Sequence, residues 1–432
     1  MDFVNLNDLA PLIPELIVLL TGITVLFVDL FAPNKNRMTT LAVTSLAGLA
    51  MAMIAELQLY GDHPLGFYGT VVSDAYSILF EMLYLIVAAV TVFLSRHYIA
   101  EQEMNYGEYY ILLLTAVLGM MLMTSSVELL VIFIGLEIMS ISSYILVGMK
   151  RRVSISNEAA LKYLMLGAFS SGFLLYGISL LYGATGSTYL PKIIESFQDQ
   201  QLLRNPLAIA GVGLVIISMG FKIAIVPFHM WTPDVYTGAP TPVTGFLSAA
   251  AKAAGFAVFL RVLLTGLPME EENWKYLLWI LSALTMTVGN LMALRQSSIK
   301  RMLAYSSIAH AGYVMIAAVA GSPAALSGIF FYSTAYALMG TGAFGILTIR
   351  DLGKVPQTFD DLSGYAKRFP LPAFLMTLFM LSLVGLPLTG GFIAKLQIFK
   401  AALEEGWVWL TVIAVLNSAL SIYYYFRVVV FM

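Results

Sequence analysis

Thirteen apolar stretches, each about as long as a bilayer is thick, follow one another with short connections along nearly the whole chain. A membrane helix needs roughly 20 mainly apolar residues. The stretches fall at about 11–31, 38–58, 74–95, 109–127, 129–149, 158–183, 206–230, 240–265, 276–294, 301–320, 325–349, 372–399 and 406–431. In hydrocarbon each backbone N–H and C=O must find a partner inside its own segment, which for such a pattern leaves the helix. The expected fold class is therefore all-α polytopic: a compact bundle of about 13 transmembrane helices without a soluble domain. Of the 432 residues, 59% are hydrophobic and 11% charged, against roughly 25% charged in soluble proteins. Such a surface could not be wetted. Residues 1–10 hold Asp2 and Asp8 but no basic n-region, so the first stretch reads as a retained helix and not as a cleaved leader.

Composition narrows the chemistry. With no cysteine, disulfide frameworks, thiolate zinc and iron–sulfur ligation are excluded. Four histidines, His63, His97, His229 and His310, are scattered, and no metal site is expected. A net charge of −2 excludes a nucleic-acid binder on electrostatic grounds. Lysine and arginine set the direction of insertion. With the N-terminus outside, thirteen fall on inner loops, Arg96, Lys150, Arg151, Arg152, Lys300 and Arg350 among them, against four on outer loops, Lys192, Arg204, Lys275 and Lys400.

Six basic residues remain inside the stretches: Lys162, Lys222, Lys252, Arg261, Lys395 and Arg427, with Glu81 and Glu137 as acidic counterparts. A charge at mid-helix costs roughly 2.5–3.5 kcal/mol even on lenient insertion scales. Snorkelling accounts for Arg261 and Arg427, which lie near the ends of their stretches. It does not account for Lys222, Lys252 or Glu137. A buried Lys–Glu pair that only locks helices together is the structural alternative. Lysines outnumber carboxylates at this depth, however, and a buried amine without a carboxylate gives up its proton more readily than an exposed one. That is what a proton relay requires.

The surrounding sequence reinforces the point. In SMGFKIAIVPFHMW, Pro227 follows Lys222 by five residues, and its missing N–H frees the carbonyl of Ile223. In GLPLTGGFIAKLQIF, Gly385, Pro387, Gly390 and Gly391 are expected to break the twelfth helix ahead of Lys395. Broken helices at membrane depth line buried or hydrated cavities, and two of them in corresponding places mark a transporter built from repeats. Residues 109–265 and 276–432 accordingly read as two five-helix repeats, each with its fourth helix broken (helices 7 and 12), behind an N-terminal three-helix segment, 1–108. Five is odd, so the second repeat enters the membrane from the opposite side and the pair is inverted. Small residues around Lys252 in FLSAAAKAAGF favour close helix approach. Glu137, Ser140 and Tyr144, at i, i+3 and i+7, form one polar stripe.

The run PFHMWTPDVYTGAPTPVTGFLSAAAKAAGF (227–256) closely resembles the signature of the antiporter-like subunits of respiratory complex I. Mrp-type cation/proton antiporters and membrane-bound hydrogenases share that superfamily. GLEIMSISSYIL, EAALKYLMLGAFSSG and SSIKRMLAYSSIAHAGY match as well, and GLPLTGGFIAKLQIFKAALEEG with LNSALSIYYYFRVVV is most similar to the N-type members. Such subunits usually have fourteen membrane helices, whereas this chain reaches Met432 inside an apolar run with thirteen.

The resemblance implies a Glu137–Lys222 pair with Lys162 as its modulator, Lys252 as central relay lysine and Lys395 as the terminal one. His229 and His310 match positions linked to the polar axis between half-channels. It also implies membrane-arm partners in a hetero-oligomer, and a bacterial inner membrane as the location. The implied activity is proton translocation coupled to quinone reduction elsewhere in an NADH–quinone oxidoreductase. No cofactor is expected in this chain, with FMN, iron–sulfur clusters and quinone in other subunits. The alternatives are an Mrp-type sodium/proton antiporter subunit, or the equivalent subunit of a hydrogenase or ferredoxin-dependent relative.

Overall fold

A computed structural model describes residues 6–31, 36–61, 65–268, 272–351 and 357–432. Among them, twelve helices are long and apolar enough to cross a membrane. We label the helices α1 (Ile13–Phe31), α2 (Arg37–Leu59), α3 (Ala75–Glu101), α4 (Glu108–Ser125), α5 (Leu129–Val147), α6 (Ser154–Thr185), α7 (Pro206–Ile223) and α8 (Thr241–Gly266). Then come α9 (Glu272–Leu294), α10 (Ile299–Ala320), α11 (Pro323–Arg350), α12 (Pro370–Val384), α13 (Gly390–Glu404) and α14 (Val408–Phe431). The expected twelfth stretch is thus α12 and α13, two halves with a break between them. Short helices Leu190–Ser196 and Gln200–Leu203 fill the linker between α6 and α7, and Trp231–Gly238 precedes α8. Among the described residues the strands form a two-residue antiparallel ladder, Leu65–Gly66 with Val71–Val72.

Local chemistry explains where the helices begin. Asp74 and Ser77 form a reciprocal capping box at α3, and Ser298 and Thr389 accept first-turn N–H groups at α10 and α13. Each satisfies a donor that a helix start leaves without an intrahelical partner. The sequence places the end of the seventh stretch at about residue 230, but α7 stops at Ile223. Pro227 can neither donate to the Ile223 carbonyl nor fit against it, and Ala224 turns off with a positive φ of 59°.

The helices gather into two compact units: residues 1–149, 163–222 and 250–268, and residues 150–162, 223–249 and 269–432. In the first, α4 and α5 touch backbone to backbone, since a Cβ on Gly119 would lie 2.4 Å from the Met139 nitrogen. In the second, α9 and α10 do the same, and a Cβ on Gly289 would lie 2.6 Å from the Ala309 nitrogen. Small residues permit the close packing that membrane helices rely on in place of a hydrophobic driving force. Large apolar side chains such as Phe31, Phe93 and Trp409 point outward, as lipid-facing surfaces require.

Candidate functional site

In the first unit the polar stripe of α5 meets the end of α7. Lys222 is the next-to-last residue of α7 and is buried. Its Nζ donates to Ser140 Oγ at 2.6 Å and Tyr144 OH at 3.2 Å. Its ammonium lies 5.6 Å from the Tyr144 ring centre, inside the range where a cation feels an aromatic face. Glu137 accepts a hydrogen bond from the Ser171 hydroxyl of α6. Among the described residues no direct ion pair joins Glu137 to Lys222; Glu137 stands one turn before the Ser140 that holds the ammonium. Next to Ser171, Ser170 and Ser218 exchange hydroxyl-to-carbonyl bonds at 3.0 and 2.6 Å, tying α6 to α7 one turn before Lys222.

Lys252 is also buried, on α8. The five residues before it, Leu247–Ala251, form a π-helical turn within the span. Such turns are rare and concentrate at functional sites. Sequence reasoning found the small residues here but not the distortion, because hydropathy is the same for α and π winding.

In the second unit Lys395 projects from α13 back across the break. Its Nζ donates to the carbonyls of Leu383 at 3.2 Å and Val384 at 2.8 Å, and to Ser418 Oγ of α14 at 3.0 Å. It sits 4.9 Å over the Tyr313 ring. The two carbonyls close α12, where a helix leaves acceptors without intrahelical donors and carries partial negative charge. The break is built for this contact. Gly385 takes φ +87° and its N–H bonds back to Leu381 and Ser382, a left-handed helix stop that favours glycine. At Gly391 a Cβ would lie 1.9 Å from the Ser382 carbonyl oxygen.

His310, buried on α10, is held at both ring nitrogens, by Tyr332 OH at 2.7 Å and Tyr425 OH at 3.1 Å. Tyr425 also bonds Ser306. Asn290 joins Tyr313 at 3.3 Å, Tyr424 at 2.9 Å and Asn417 at 3.4 Å. These tyrosines and amides extend the polar interior of the second unit, and sequence reasoning had not singled them out. Asn290 and Asn417, lone amides within apolar helices, were the available signal. His229 lies half-buried in the segment between α7 and the short helix at Trp231.

Lys162 is nearly half exposed and pairs with Glu158 at 2.6 Å and Asp234 at 2.8 Å. Asp234 also takes Arg301 at 2.7 Å. Burial works against the Asp234 charge, but hydrogen bonds from Lys162 and Arg301 outweigh it and hold the carboxyl below the usual aspartate range. Two expectations about basic residues need correction. Lys150 and Lys300, assigned to inner loops, are buried. Lys150 lies 3.8 Å from Asp351, and Lys300 donates to the Ala239 carbonyl at 2.8 Å. Burial pushes the Lys150 ammonium below its ordinary value, partly offset by Asp351. Arg261 does not snorkel: it is buried, bidentate to Asp74 at 3.0 and 2.8 Å, and 5.0 Å from the Tyr76 ring centre.

Buried lysines at helix breaks, in a bundle of membrane-spanning helices, define an antiporter-like membrane protein. The comparisons agree. The family described as NADH:quinone oxidoreductase/Mrp antiporter, TM matches residues 125–421. NADH-quinone oxidoreductase subunit N of Trichlorobacter lovleyi is 46% identical over 430 residues, covering 99% of this chain and 88% of the relative. Among solved structures, a chain of respiratory complex I from Thermus thermophilus is 36% identical with a TM-score of 0.84, over 97% of this chain and 89% of that one. A chain of the Mrp complex from Dietzia shares the fold, with a TM-score of 0.86 at 21% identity, over 99% and 80%. This chain belongs to the NADH:quinone oxidoreductase/Mrp antiporter membrane family.

Proposed function

We propose that this chain is a membrane-arm subunit of a proton-translocating NADH–quinone oxidoreductase, in which Glu137, Lys222, Lys252 and Lys395 carry the proton. Quinone is reduced elsewhere in the complex, and FMN, iron–sulfur clusters and quinone are assigned to partner subunits. The observation that carries this reading is the set of three buried lysines, two at helix breaks and one at a π-helical turn. Lys162, His229 and His310 complete the relay as accessory groups. The matching glycine contacts of α4 with α5 and α9 with α10 support two inverted five-helix repeats, 109–265 and 276–432, behind the segment 1–108. The excess of basic residues on one set of loops supports insertion with the N-terminus outside, and the bacterial source of the matching relatives supports a bacterial inner membrane.

The mechanism is electrostatic. A Glu137 carboxylate acting on Lys222 stabilises the buried ammonium, while Ser140 and Tyr144 accept its hydrogens. A change at a neighbouring subunit that withdraws this support leaves an uncompensated buried charge, a costly state. Passing the proton towards Lys252 and on to Lys395 relieves it. Lys222→Ala or Lys252→Ala in the reconstituted complex is expected to abolish proton pumping during quinone reduction. An unchanged proton-to-electron ratio in both variants would overturn the proposal. Transport that follows sodium instead of pH would assign the chain to the antiporter branch.

A further inference from the structure

The first three helices hold a polar centre made of residues the lysine relay does not use. Glu15 on α1, Glu56 on α2 and Glu81 on α3 are 2%, 1% and 3% exposed. Each lies within about two turns of a helix end: near the start of α1, the finish of α2 and the start of α3. Ser125, the last residue of α4, donates to Glu15 Oε1 at 3.2 Å. Glu56 and Glu81 are near enough to act on each other, and Glu15 is near enough to Glu56 to feel its charge. One turn beyond Glu81, Tyr84 OH bonds Thr124 Oγ1 at 3.1 Å.

Two further observations point to something held here. Glu15 Oε2, Glu56 Oε1 and Glu81 Oε1 are buried oxygens with no hydrogen-bond partner, and burying such an acceptor unpaired is costly. The cation whose charge reaches Glu81 is Arg261 of α8, itself 6% exposed. Its two terminal nitrogens are committed to Asp74, and its Nε–H has no acceptor. Arg261 is therefore already balanced by Asp74 and cannot neutralise three more carboxylates.

Two neighbouring carboxyl groups buried with unpartnered oxygens are relieved by a hydrogen on one of them. Neighbouring carboxyls in a low-dielectric site cannot all be ionised together, and they titrate as a group. We propose that Glu15, Glu56 and Glu81 form a proton-binding site, with one proton shared between Glu56 and Glu81 and Glu15, oriented by Ser125, as the second acceptor. The facing groups are Glu15 of α1, Ser125 of α4, Glu56 of α2, Glu81, Tyr84 and Tyr76 of α3 with Asp74 at its N-cap, and Arg261 of α8.

The test uses the intact purified complex. Infrared spectroscopy reads the carbonyl band of protonated carboxylic acid, and dicyclohexylcarbodiimide labelling followed by peptide mass spectrometry reads which buried carboxyl carries the proton. The expected result is label on Glu56 or Glu81 in the unmodified chain, lost as pH is raised and unchanged by sodium chloride at fixed pH. Glu56→Gln and Glu81→Gln should each lose part of the infrared band, and Lys222→Ala should keep it, which separates this site from the relay. Protection from labelling by sodium would overturn the proposal in favour of a cation site. A band unchanged in the Glu15→Gln, Glu56→Gln, Glu81→Gln triple variant would overturn it outright. If a glutamine variant does not assemble, labelling of the unmodified chain decides.

Discussion

At the first break Lys222 stands at the end of the half-helix before the gap, and its ammonium is met by side chains, Ser140 and Tyr144, with Glu137 one turn away along α5. At the second, Lys395 stands on the half-helix after the gap and reaches back to main-chain carbonyls, with one hydroxyl and one aromatic face completing its surroundings. Both solutions keep a cation in a low-dielectric interior, but they respond to different inputs. A side-chain cage answers to any change in the charge of Glu137. A carbonyl cage answers to the shape of the backbone, because Leu383 and Val384 accept only while α12 ends where it does.

The largest expected effect is at the carbonyl cage. Lys395→Ala should remove proton translocation in the reconstituted complex, read as a collapse of the proton-to-electron ratio; a normal ratio would show that the second break is only structural. Gly391→Ala drives a Cβ into the Ser382 carbonyl and should lower the thermal stability of the complex by about 1–3 kcal/mol, as overpacking does. An equal loss from Gly390→Ala, where the nearest atom is 3.9 Å from the added Cβ, would contradict the geometry of the break. The two cages can then be compared directly. Glu137→Gln should slow pumping more than Glu81→Gln, while Ser418→Ala, which removes one neutral acceptor from Lys395, should cost only about 1 kcal/mol with pumping retained.

The smallest effect concerns pH. Asp234 has a carboxyl held below its unfolded value, so its contribution is present above that value, about 3.9, and is lost as pH falls through the lower folded one. Asp234→Asn should flatten the acid side of a thermal-stability profile and leave the neutral side's shape unchanged.

Much of the fold was legible before the structure. Pro227, Gly385 and Pro387 announce both breaks through backbone chemistry, and a lysine among twenty apolar residues is conspicuous by cost alone. The α5 stripe was legible because helical periodicity puts Glu137, Ser140 and Tyr144 on one face. What periodicity cannot supply is the partner across the interface. Arg261 and Asp74 are 187 residues apart, and nothing local marks Arg261 as bound instead of snorkelling. Lys150 and Lys300 read as loop charges because each lies at a helix end, and only packing buries them. The three glutamates of α1–α3 meet by tertiary contact alone, and of them only Glu81 drew notice from its place in the sequence.

The contact of Lys395 with Leu383 and Val384 has a consequence for energy conversion. The ammonium that would carry charge is also the rivet between two half-helices, and a neutral amine makes a weaker rivet than a cation. If Lys395 exchanges its proton in the proposed relay, proton occupancy and backbone geometry at this break are two coordinates of one equilibrium: whatever free energy the bound proton loses when α12 bends away from α13, the closed joint loses when the proton leaves.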